Sequence, residues 1–100
     1  MLLHIGDNVA IPLERVLFII NARGMMPDTE QYIRRMERTD HMVSACRGRP
    51  KSYIVTRERT RDTVYASLIA PATLDKRWRD EISRSYLRDT AVVSVDIRGL

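Results

Sequence analysis

MVSACRGRPKSYIVTRERTRDTVYASLI, residues 42–69, is the stretch that decides the fold. Within it, Ser52-Tyr53-Ile54-Val55-Thr56 is the clearest strand of the chain, because β-branched and aromatic side chains pack well on a pleated surface. Met42 to Cys46 reads as a strand before it, closed by the turn Arg47-Gly48-Arg49-Pro50-Lys51. Thr63 to Ile69 reads as a partner strand after it, across a charged loop from Arg57 to Asp62. Together the three predict an antiparallel meander.

Working outward, Leu2 to Ile5 and Val9 to Ile11 are short apolar stretches separated by Gly6-Asp7-Asn8, a turn signal, with Pro12 ending the second. Val16-Leu17-Phe18-Ile19-Ile20 is continuously apolar, which predicts a strand buried on both faces. Asn21 to Met26 forms a loop around Gly24. Pro27-Asp28-Thr29-Glu30 opens a helix, since Pro suits the first turn and acids complement its dipole. Tyr32, Ile33 and Met36 recur at helical spacing, and the helix ends by Thr39-Asp40. Pro71 starts a second helix with Leu74 and Trp78 on one face. Beyond Arg79, Ile82, Tyr86 and Leu87 continue the helical pattern, while Ala91 to Ile97 alternates as a final strand would. The expected class is α+β: one domain, a small, mostly antiparallel sheet and two short helices.

A chain of 100 residues, 44% hydrophobic and 30% charged, sits at the common size of one domain and is able to bury a real core. Cys46 is the only cysteine, so no intrachain disulfide forms, as suits a reducing compartment. The longest apolar run falls far short of a membrane span, and the N-terminus lacks the pattern of a signal peptide. These features lead us to expect a cytoplasmic protein with no membrane partner.

The net charge is +4 and the sequence pI about 9.7, with 15 Arg against 2 Lys. That balance favours an anionic partner, because a guanidinium offers phosphate a flat, two-pronged donor set. Residues 47–61 hold Arg47, Arg49, Lys51, Arg57, Arg59 and Arg61 against one acid, Glu58. The turn and the loop lie at opposite ends of the strand between them, roughly 17–20 Å apart, so they cannot form one tight pocket. Charge counting alone leaves two readings open: solvated loops, or contact with nucleic acid phosphate.

His4-Ile5-Gly6-Asp7, Arg15, the run from Arg47 through Thr56, and Val64-Tyr65-Ala66-Ser67 leading to Ala72-Thr73-Leu74 together resemble the bacterial Rem family. These are the extracellular-matrix and biofilm regulators RemA and RemB. The Gly48-x-Pro50-Lys51-Ser52 stretch looks closer to the RemB branch. The resemblance covers residues 2 to about 78, which makes 1–78 a Rem-like DNA-binding domain and 79–100 a C-terminal extension. It implies a transcription regulator that contacts double-stranded promoter DNA and assembles into homo-oligomeric rings. By the same resemblance, Arg15 and Arg49 are DNA-contacting positions. Where the RemA branch has a second Arg after Arg49, this chain has Pro50, with Lys51 next.

DNA contact is therefore expected at Arg15, Arg49 and Lys51, with Arg47, Arg57, Arg59 and Arg61 as an electrostatic fringe. The competing expectation is an oligomeric protein–protein module without DNA affinity; RNA is disfavoured by the dearth of stacking aromatics. His4, His41 and Cys46 lack the paired spacing of a zinc site, and no Ser–His–acid order or phosphate-binding glycine loop suggests catalysis. No metal, cofactor, small-molecule substrate or enzymatic activity is expected.

Overall fold

A computed structural model describes the backbone of residues 1–98 and the side chains of residues 1–84. The class is α+β, in three layers. Strands β1 (Leu2–Gly6) and β2 (Val9–Pro12) form a hairpin around Asp7 and Asn8, whose φ angles of 50° and 60° are those a tight two-residue turn demands. Alternation then puts Leu3, Ile5 and Ile11 inward and leaves His4 outside.

After a 3-10 turn (Leu13–Arg15), β3 (Val16–Asn21) enters a four-stranded sheet, and α1 (Pro27–Arg38) crosses to β4 (Met42–Ala45). Strands β5 (Ser52–Glu58) and β6 (Arg61–Ser67) follow, and α2 (Pro71–Arg98) closes the chain. The strand order is β3-β5-β6-β4. One face of the sheet meets the hairpin and the start of α2, through Ile54, Leu3, Ile5, Ile11 and Leu74, with Trp78 packed against them. The other face meets α1, through Val55, Val64, Ile33 and Met36. Adjacent residues Ile54 and Val55 thus serve opposite cores, as a period of two requires.

Five expectations are corrected. The meander is wrong in its first member: β4 pairs in parallel with β6, not antiparallel with β5. Residues 46–51 are no hairpin turn; they stride across the end of β6, where the Lys51 N–H donates to the Ser67 carbonyl at 2.8 Å. β3 is not buried on both faces but is a sheet edge, with Phe18 64% and Leu17 43% exposed. An apolar run records that a strand is covered somewhere, not that it has two neighbours. The charged segment 57–62 is mostly strand, since Arg57 pairs with Asp62 and Glu58 with Arg61, leaving a two-residue turn with Arg59 at φ 60°. Finally, Ala91 to Ile97 is helical, because α2 runs on to Arg98. A helix already under way gains a hydrogen bond per added residue, whereas an isolated strand gains none. No helix among the described residues is long and apolar enough to cross a membrane.

Candidate nucleic-acid interface

Seven residues were expected to meet phosphate, and the sheet distributes them between its two ends. Strand β5, seven residues and about 20 Å long, separates the two groups. At its far end lie Arg15, Arg57, Arg59 and Arg61, along with the carboxylates of Glu58 and Asp62.

Three of those four cations are already engaged. Arg57 donates to both carboxylate oxygens of Asp62, from Nε at 2.7 Å and from Nη2 at 3.4 Å. That bond holds the Asp62 carboxyl below its ordinary range and raises the guanidinium. Arg15 Nη2 stands 3.5 Å from Glu58 Oε1, a loose surface pair that holds little energy. Arg61 donates to His41 Nε2 at 3.1 Å, which fixes the tautomer. The proton sits on Nδ1 and is donated to Thr39 Oγ1 at 2.8 Å, whose own hydroxyl donates to the Arg35 carbonyl at 2.8 Å. Arg59 makes no ion pair among the described residues.

The Arg57–Asp62 pair carries a pH signature. Because the folded state lowers the Asp62 pKa, the pair stabilises the fold above the carboxylate's ordinary titration near ~4 and loses that contribution as pH falls through the folded value. Asp62→Asn is expected to flatten this part of the stability profile between about pH 2 and 5, read as melting midpoint against pH. Its effect at neutral pH should be small, since the pair lies at the surface.

At the near end stand Arg47, Arg49 and Lys51, all exposed. Gly48 between the two arginines has φ +87°, a conformation L side chains rarely adopt. A Cβ there would meet nothing within 4 Å, so backbone conformation and not space demands the glycine. Arg47 turns into a shallow cleft with Gly6, Asp7 and Leu68. Arg49 and Lys51 line a separate open cleft of about 620 Å³ with Asn21, Arg23, Pro50 and Pro71. No carboxylate lines it.

Arg23 is the residue that reading the chain missed. It lies in the loop after β3, far from the basic run in sequence, and only the β3–β5 register, with Asn21 opposite Ser52, carries it there. The expected site thus falls into two groups: a far end where Arg57 and Arg15 face carboxylates, and a near end where Arg49 and Lys51, joined by Arg23, line a cleft without one. Such a surface can bind anions electrostatically.

A family model described as extracellular matrix regulatory protein A-like, or RemA-like, matches residues 2–78. No curated protein matches the chain.

Proposed function

The chain belongs to the RemA-like family of extracellular matrix regulatory proteins, and on that premise we propose that it is a non-enzymatic, DNA-binding transcription regulator. In this reading it acts in the cytoplasm as a homo-oligomer, ring-like in form, and falls in the RemB-like branch. The observation that carries the reading is the near-end cleft, where Arg23, Arg49 and Lys51 gather with no carboxylate among them. The Gly48-x-Pro50-Lys51-Ser52 stretch supports the branch.

Two considerations support assembly. A single copy with a few phosphate contacts would hold a duplex weakly at physiological salt, and repeating the contacts multiplies them through effective concentration. Strand β3, VLFIIN, contains no charged residue and is an uncovered sheet edge with Phe18 and Leu17 exposed. Uncharged, apolar edges of that kind are open to pairing with another chain. Repeated backbone contacts would read duplex shape and deformability in place of base edges.

The same apolar edge favours the second reading, an oligomeric protein–protein module. Light-scattering mass with and without a duplex of several helical turns separates the two. The DNA-binding reading expects a mass above one chain that rises on adding duplex at low salt, and a complex that weakens steeply as salt is added, with a slope of about −0.9 per phosphate contacted. A mass unchanged by duplex at low salt would leave only the module.

A further inference from the structure

Three segments distant in sequence are tied together around the near-end cleft. The Ala22 N–H donates to the Lys51 carbonyl at 3.0 Å, and the Lys51 N–H to the Ser67 carbonyl at 2.8 Å. The buried Ser52 hydroxyl donates to the Ile69 carbonyl at 2.6 Å, just before Pro71 starts α2. On the first wall, the Asn21 side-chain oxygen accepts the Arg23 N–H at 2.9 Å, which sets the path of the loop. The cations therefore project from anchored backbone, and less ordering is needed when a ligand arrives.

Arg23, Arg49 and Lys51 form no ion pair among the described residues. Three like charges share one cleft with Asn21 and no acid. Left empty, that arrangement is repulsive; an anion relieves it. A phosphate held by charged donors needs them within about 3 Å of its oxygens. Arg23 and Arg49 line the same cleft, whereas Arg15 is a strand's length away, about 20 Å, and successive phosphates of one strand advance only about 3.4 Å along the axis.

We infer that Arg23, Arg49 and Lys51 form one seat for a single phosphodiester of the duplex, and that Arg15, at the other end of the sheet, meets a different phosphate. This rests on the DNA-binding reading and adds to it a contact residue, Arg23, and a grouping of contacts.

The test is a double-mutant cycle on duplex affinity across a range of salt concentrations, in the full-length chain. Arg23→Ala is expected to weaken binding by about 10-fold or more per engaged copy, and Arg23→Lys to restore most of it. Combining Arg23→Ala with Arg49→Ala should lower the salt slope by about 0.9 per engaged copy, because one phosphate is lost, and the two losses should not add. Combining Arg15→Ala with Arg49→Ala should lower it by about 1.8 and add. Unchanged melting midpoints show that the variants fold. If wild type binds duplex while Arg23→Ala binds equally well, or if the Arg23 and Arg49 losses add with a slope change of about 1.8, the single seat is overturned. If wild type itself fails to bind duplex at low salt, the DNA-binding reading falls, and the seat with it.

Discussion

Leu74→Ala is expected to destabilise the protein by about 2–5 kcal/mol, the cost of leaving a cavity at a fully buried leucine. Leu74 is completely enclosed, and it belongs to the cluster that joins the hairpin through Leu3, Ile5 and Ile11, the sheet through Ile54, and the first turns of α2. A domain of this size has about 5–15 kcal/mol of stability in all, so the substitution removes a large share. Thermal unfolding should show a midpoint lower by about 10 °C or more. The Leu74 N–H also donates to the Ala70 carbonyl at 3.1 Å, in the same turn as the cleft residue Pro71, a backbone bond that alanine keeps. A shift of only a degree or two would show that the hairpin holds the sheet without α2.

Arg49→Glu is expected to weaken duplex binding about 100-fold or more per engaged copy, since a charge-assisted contact is lost and a carboxylate now faces phosphate. The fold should be untouched: Arg49 is exposed and makes no ion pair among the described residues. Arg57→Glu provides the contrast. Its guanidinium is already committed to Asp62 in the present structure, so reversing it should cost far less binding. Anisotropy of a labelled duplex at fixed salt compares the two directly. Equal losses at both positions would mean that total charge, and not the near-end cleft, holds the DNA.

Much of the fold was legible in local sequence. The turn at Asp7-Asn8 needs residues that tolerate positive φ, and the chain supplies them between two alternating stretches. Pro27 and Pro71 both open helices, where the missing N–H costs nothing. Leu74 and Trp78, one turn apart, both pack on the hairpin face of the sheet. Each is a signal carried within a few residues, so a linear reading reaches it.

The candidate site was legible only in part. The charge of residues 47–61 is visible in composition, but pairing is not: Arg57 is tied to Asp62 because the strands run on to a two-residue turn. His41 and Arg61, twenty residues apart, meet because the His41 carbonyl takes the Val64 N–H and β4 lies parallel to β6.

The sequence by itself determined the α+β class, the hairpin, the helix starts and the presence of a basic segment, because periodicity, turn chemistry and charge are local properties. Tertiary structure alone decided the strand order, the open edge at Phe18 and the company each arginine keeps. Strand order depends on which hydrogen-bonding edges are left free once α1 has crossed the sheet. Residues 46–51 then span β6 to reach the neighbouring position. Arg23 joins Arg49 and Lys51 through that order and the register of β3 on β5, a relation between distant segments that no window of the chain contains.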